Sequence, residues 1–334
     1  MSEQLMSKEP GVAIIGCGLI GQKRALSLRS CRLVGCCDVV PERAEQLARK
    51  FRGAQTWSDW RVAANHNEVD VVVVATTHDL LARIAETAAS AGKHVLIEKP
   101  GARRASELDG VLRESQRTGS CVRVGFNHRY HHSLQQAYKI AASGMLGELM
   151  YVRGRYGHGG RPGYDREWRA HPQISGGGEL LDQGVHLIDL ARWFLGDFSN
   201  VTGHIATYFW NMPVEDNAFL LLKTASGKAA FLHTSWTEWK NTFSVEICGR
   251  TGKLEATGLG GSYGTEKLAF YRMLPCMGPP ETTIWEYPMA DNSWELEFDE
   301  FLEDIRLDRD PIPGIRETQA VLRVVERVYG DSTP

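Results

Sequence analysis

The sequence predicts two folding units, a parallel α/β unit followed by an α+β unit with a large, open, mainly antiparallel sheet. Three observations point there. Up to Asn127, valine-rich runs alternate with amphipathic helical stretches, as a parallel sheet covered on both faces requires. Beyond Tyr130 the pattern becomes a helix and then many strands with short, glycine-containing links, which favours antiparallel pairing. At 334 residues the chain exceeds what one hydrophobic core usually fills.

The first unit opens with GVAII, a short buried strand, followed at once by Gly16-Cys17-Gly18-Leu19-Ile20-Gly21 and the helical pattern QKRALSLRS. A GxGxxG between strand and helix, with an acid about 20 residues further on, forms a dinucleotide cradle. Gly16 makes the tight turn, Gly18 admits the pyrophosphate, and Gly21 lets the helix pack closely on the strand. The next strand, RLVGCCD, ends on Asp38, placed to accept hydrogen bonds from an adenosine ribose. That acid favours NAD, because a 2′-phosphate would meet its charge, while Arg43 in the following turn keeps NADP open. Helix and strand then alternate through PERAEQLARKF, VDVVVVATT, LLARIAETAASAG and KHVLIEKP. Ligands bind at the carboxyl ends of such strands, which places Thr76, Thr77 and His78, and then Glu98 and Lys99, beside the cofactor. One more helix-strand unit brings Asn127 to the same edge, together with Arg129.

Composition limits the partners. A net charge of -3 gives no general attraction to nucleic acid or an anionic membrane. No apolar run is long enough to span a bilayer, and MSEQLMSKEPG lacks the features of a secretory leader; a cytoplasmic protein is expected. Seven cysteines, with no CxxC pair set, read as buried reduced thiols. The histidines are not grouped with cysteines or acids at ligand spacing, so no metal is expected.

In the second half, Ile174 to Leu195 reads as a glycine run feeding a helix that is apolar almost all round. Asp182, His186 and Asp189 are its exceptions, and at 3.6 residues per turn they share one narrow arc. Such a set serves either as a structural pair with a cap or as a proton-transfer group. Upstream, Arg153 to Pro172 carries five arginines, with Tyr156, Tyr164 and Trp168 among them. Arginine forks match phosphate or carboxylate and aromatic rings cover a pyranose face, so Arg155, Tyr156, Trp168 and Arg169 are candidate contacts to an anionic carbohydrate. Any single arginine there more often serves as a surface ion pair; it is the set as a whole that favours substrate contact. The strand patterns run from VTGHIATYFW to TTIWEYP, and two helices, SWELEFDEFLEDIRL and IRETQAVLRVVERVY, close the chain. One sheet face packs on helices, leaving the other for a homodimer or homotetramer contact.

Taken together, GCGLIG, ATTHDL, the EKP triplet at Glu98 to Pro100 and GGGELLDQGVHLIDL resemble, in order and across essentially the whole chain, the glucose-fructose oxidoreductase, inositol dehydrogenase and rhizopine catabolism (Gfo/Idh/MocA) family. The resemblance implies an α/β Rossmann domain, here 1–127, followed by a substrate-binding and oligomerisation α+β domain, 128–334. It also implies hydride transfer between NAD(P) and sugars or cyclitols, with Lys99 in EKP and Asp182 and His186 as the catalytic pair. The expected activity is that of a sugar dehydrogenase or ketosugar reductase acting on an anionic sugar, such as a sugar nucleotide, sugar phosphate or uronic acid. Inositol dehydrogenase, an NAD-tethered glycosidase and a non-catalytic NAD(P)-sensing regulator are the alternatives.

Overall fold

In the computed structural model, residues 9–331 are described. The opening MSEQLMSK, read above for a leader, lies outside them. The chain divides into two compact units, the first comprising Met1–Phe126 with Trp294–Gln319 and the second Asn127–Ser293 with Ala320–Pro334.

The first unit runs β1 (Gly11–Ile15), α1 (Leu19–Leu26), β2 (Arg32–Cys37), α2 (Pro41–Ala48), β3 (Gln55–Trp57), α3 (Trp60–Asn65), β4 (Val71–Val74), α4 (His78–Ser90), β5 (His94–Glu98), α5 (Asp109–Thr118) and β6 (Val122–Gly125). Its strands form one six-stranded sheet in the order β3-β2-β1-β4-β5-β6, with every pairing parallel. This is the Rossmann arrangement, with the chain starting mid-sheet and winding outward on both sides. All four valines of β4 are buried, as a strand covered on both faces demands. The short edge strand β3 and helix α3 carry no valine run, so the alternation pattern passed over them.

In the second unit, α6 (His132–Ala142) leads into β7 (Leu149–Gly157), the short turn α7 (Pro172–Ser175) and the buried α8 (Val185–Leu195). The strands β8 (Phe198–Ala206), β9 (Asn217–Thr224), β10 (Ala229–Ser235), β11 (Thr242–Gly249), β12 (Gly252–Thr257), β13 (Glu266–Arg272) and β14 (Glu281–Tyr287) follow. All eight strands form one sheet, ordered β14-β13-β12-β11-β7-β10-β9-β8. Pairing is antiparallel except between β7 and β10. The parallel pair exists because β7 precedes α8 in the chain, and the passage through α8, β8 and β9 brings β10 back beside it in the same direction. Along β7, Val152, Gly154 and Tyr156 are buried while Arg153 and Arg155 are exposed, so successive residues face opposite sides of the sheet. Gly154 lies close to its neighbours, and a Cβ there would come within 3.1 Å of a Leu232 methyl and 3.2 Å of one of Leu187 on α8.

Helices α9 (Ser293–Leu307) and α10 (Ile315–Asp331) complete the chain. The sequence reading assigned both to the second domain, whereas Trp294–Gln319 belongs to the first unit. Phe298, Phe301 and Ile305 of α9 share a core cluster with Val12, Ile14, Val71 and Leu96. Two buried ion pairs fix the assignment, Arg24 of α1 to Glu297 at 2.6 Å and Arg123 of β6 to Asp304. Neither partner of Arg24 or Arg123 is visible at short range in the sequence. Of the cysteines, Cys17, Cys36, Cys37 and Cys248 are buried, but Cys276 is exposed. Among the described residues no helix is long and apolar enough to cross a membrane.

Candidate active site

In the first unit the turn after β1 is shaped by backbone contacts. Gly16 has φ +92°, and a Cβ there would lie 2.4 Å from the Ala75 carbonyl oxygen, so both conformation and space demand glycine. Its N–H donates to the Cys37 carbonyl at 2.8 Å. Gly21 is fixed by packing, because a Cβ there would lie 1.8 Å from the Gly16 oxygen. At Gly18 a Cβ would meet nothing within 4 Å. The protein itself therefore does not require glycine at 18, whereas a pyrophosphate drawn against the backbone does. Helix α1 begins at Leu19 with no side-chain cap and no acid in its first turn, leaving the N–H groups of Leu19, Ile20 and Gly21 and the positive helix end suited to an anion.

Asp38 immediately follows β2 and has its backbone-facing role settled. One carboxylate oxygen accepts from Cys17 N–H at 2.7 Å and the other from Val40 N–H at 2.9 Å. Each oxygen retains acceptor capacity for a ribose hydroxyl. Arg43 is exposed on α2. Thr76 and Thr77 are half-buried between β4 and α4, with Thr77 Oγ1 donating to Asp79 at 2.6 Å, and His78 is buried at the first position of α4. Lys99 is half-buried directly after β5.

Two residues expected beside the cofactor also have protein partners. Glu98 accepts from Arg24, which also pairs with Glu297 and lies under the Trp294 ring at 4.4 Å. Burial pushes the Glu297 carboxyl up, against the pull of Arg24. Glu98 thus ties the last turn of α1 to the end of β5, directly before Lys99. Asn127 lies in the second unit, where its side-chain amide donates to Ser293 Oγ at 2.9 Å.

In the second unit, the single helix expected over the glycine-led segment is interrupted. Leu180–Gly184 forms a π-helical turn before α8 begins at Val185. Wider turns of this kind gather at functional sites, and this one carries Asp182. Two of the three glycines before it are fixed by packing, since a Cβ at Gly177 would lie 2.0 Å from the Tyr329 hydroxyl and one at Gly178 2.0 Å from the Glu215 oxygen. The buried Glu215 carboxylate accepts from Gly178 N–H and Leu180 N–H, each at 3.0 Å, and from the Tyr329 hydroxyl at 2.9 Å. It is the anion that holds this helix start, and no local spacing announced it. Burial pushes its carboxyl up, opposed by those donors.

Asp182, His186 and Asp189 are all buried, but the two carboxylates diverge. Asp182 accepts from Arg169 Nε at 2.8 Å. Asp189 takes a two-pronged bond from Arg129, both at 2.7 Å. His186 lies face to face with His128, ring centroids 3.7 Å apart. The sequence reading missed His128, whose only signal was its place between Asn127 and Arg129. Among the described residues no three His, Cys, Asp or Glu side chains are grouped to hold a metal ion.

The arginine-rich stretch is largely neutralised. Arg153 pairs with Glu246 at 2.7 Å, Arg155 with Glu238, Arg161 with Glu167 and Arg169 with Asp182. Arg155 and Tyr156 occupy opposite faces of β7, so the strand's two-residue period keeps them from flanking one small substrate as the sequence reading had them. Tyr156 is buried near His186, at 6.2 Å between centroids, and burial pushes its phenol well up. Trp168 is half-buried and stacks on the Arg169 guanidinium at 4.5 Å. Tyr164 packs into a small core with Ala170, Met212, Val214 and Trp236.

Parallel sheet, glycine turn and carboxylate at the end of β2 define a dinucleotide-binding oxidoreductase fold joined to a large-sheet second unit. Residues 11–126 match the oxidoreductase family with an NAD-binding Rossmann fold, and residues 134–255 match the GFO/IDH/MocA C-terminal domain. The chain belongs to the Gfo/Idh/MocA family. It is 30% identical over 229 residues to levoglucosan dehydrogenase of Pseudarthrobacter phenanthrenivorans, a match covering 65% of this chain and 59% of that one. It is 26% identical over 324 residues to scyllo-inositol 2-dehydrogenase (NAD(+)) of Bacillus subtilis, covering 92% and 89%. The solved levoglucosan dehydrogenase in complex with NADH superposes with a TM-score of 0.86 at 23% identity, covering 97% of this chain and 98% of that one, which shows the shared fold.

Proposed function

We propose that this chain is an NAD-dependent dehydrogenase that oxidises a hydroxyl of an uncharged sugar or cyclitol. The carrying observation is the pairing of Arg153, Arg155, Arg161 and Arg169 with carboxylates, which leaves that stretch poorly suited to a phosphate or uronate and turns the expected anionic sugar into the less favoured substrate. The names of the relatives, levoglucosan and scyllo-inositol dehydrogenases, support the same class.

In this reading His186 takes the hydroxyl proton, which suits an imidazole because its ordinary pKa lies close to working pH. Lys99 donates a hydrogen bond to the reacting oxygen and stabilises its alkoxide character. Asp182, held by Arg169, orients the base. NAD, when bound, would supply the hydride acceptor, and the residues that would hold it are Gly16, Gly18, the N–H groups at the start of α1 and Asp38. In reduction His186 returns the proton. The exposed Tyr151, Leu221, Phe231 and Ile284 of the large sheet support a homo-oligomer contact through its open face.

The test follows nicotinamide absorbance with NAD and two panels, one of uncharged sugars and inositols and one of sugar phosphates, uronic acids and sugar nucleotides. A rise confined to, or much larger in, the first panel is expected. Preference for the second would overturn the substrate class.

A further inference from the structure

We propose that His128 is a positioning residue for His186, and that the two stacked imidazoles take up one proton between them and resist a second. The proposal rests on the reading of His186 as the proton acceptor.

The two rings lie 3.7 Å apart with their planes 24° from parallel, and both side chains are almost wholly buried, at 6% and 3% exposed. The register follows from their neighbours. His128 sits in the turn Asn127–Tyr130, and the next residue, Arg129, grips Asp189 with two bonds of 2.7 Å. Asp189 lies one turn beyond His186 on α8, so this bidentate clamp sets the ring of His128 over that of His186. Tyr156 and Phe243 meet His128 edge-on, with centroids at 5.1 Å and 5.7 Å, and His131 lies at 5.6 Å. The plane of His186 is thereby fixed before any substrate arrives.

In a face-to-face pair the ring N–H bonds lie in the planes, so the rings act on each other through contact and charge. A positive charge on one ring strongly disfavours a second so close by in a dry site. The charged groups around the stack are largely matched already. Asp182 is held by Arg169 and Asp189 by Arg129. Glu266 accepts from His131, while Glu179 accepts from the hydroxyl of Thr234, a neutral donor that leaves its charge to favour the first proton on the pair. Burial pushes the phenols of Tyr156 and Tyr263 up, the second to about 12, which leaves both neutral. The repulsion between the two rings then opposes a second proton. A proton resting on His128 leaves His186 able to act as base, so the acid side of the oxidation profile is stretched over a wide pH range.

The test uses the wild-type chain and the variants His128→Phe and His128→Ala, with carbon-13-labelled histidine followed by NMR across pH and the pH dependence of kcat/KM for oxidation. In the wild type both rings are expected to titrate in two separated steps. In His128→Phe, His186 should titrate in one, and the stretched acid limb should become a single-proton limb. His128→Ala should lose roughly tenfold in kcat with KM little changed, and His128→Phe, which keeps a flat ring, should recover most of that loss. Independent one-step titrations of the two rings in the wild type, or an acid limb of the same shape in His128→Phe, would overturn the proposal. The ring titration needs no turnover, so a chain inactive on every polyol would sink the function reading while the spectra still decide this one.

Discussion

The turn that cradles the nucleotide and the face that carries His186 are built by opposite means. Around Gly16 to Gly21 the shape comes from backbone: a left-handed φ at Gly16, a 1.8 Å conflict for any side chain at Gly21, and N–H groups left open at the start of α1. Around His186 it comes from long side chains reaching across the unit, Arg169 to Asp182 and Arg129 to Asp189. A backbone device depends on a few adjacent residues and so forms from a short motif. A side-chain device has parts far apart in the chain, and removing one leaves its partner buried and uncompensated. The first is sensitive at Gly16, at Gly21 and at Asp38, whose carboxylate accepts from Cys17 N–H; the second is sensitive at both ends of its pairs.

The largest expected effect tests whether the side-chain face carries the chemistry. His186→Ala should lower kcat/KM for oxidation by about 10²–10⁴-fold, while NAD binding, read by protein fluorescence, is kept. Near-normal turnover would remove the proton-transfer role from the second unit.

A pair of glycine variants sharpens the backbone side. Gly21→Ala should lose about 2–4 kcal/mol of stability in denaturant unfolding, because its new methyl meets the Gly16 carbonyl. Gly18→Ala should melt as the parent does and yet bind NAD about tenfold more weakly. Equal melting of both variants would show that the Gly16–Gly21 contact is not what demands glycine at 21.

A smaller effect is expected at Asp182. Asp182→Asn takes from the Arg169 guanidinium its nearer counter-charge and leaves Glu167 at 3.8 Å, and because that side chain is 26% exposed the cost should be about 1–2 kcal/mol, below that of a fully buried pair. A larger fall in kcat than in stability would show Asp182 acting on the base; parallel falls would leave it a strut for Arg169.

The smallest effect is a pH dependence. Burial raises the Glu266 carboxyl, but bonds and charge from His131 and the Ser133 N–H outweigh it, and the net shift is below the ordinary 4.5. A depressed carboxyl contributes stability that is present above its unfolded value and lost as pH falls through its folded one. Glu266→Gln should therefore flatten the loss of stability below pH 4.5, by less than ~1 kcal/mol. An unchanged acid slope would assign that loss to other carboxylates.

The first unit was legible in the sequence because its signals are local: valine runs, the GCGLIG turn and the acid after β2 each announce themselves within a few residues. Strand existence in the second unit was legible for the same reason, since period-two alternation needs only a short window. Tertiary structure alone decided where α9 belongs, because Arg24 and Arg123 meet Glu297 and Asp304 across most of the chain's length. That Arg155 and Tyr156 face opposite sides of β7 follows from period-two alternation once the segment is read as a strand. The π-helical turn at Asp182, the carboxylate of Glu215 beneath the glycines and the ring of His128 over His186 were beyond any local reading. Periodicity reports which residues share a face of one element; which distant charge or ring meets that face is set by packing between elements, and that is where the candidate site of the second unit is made.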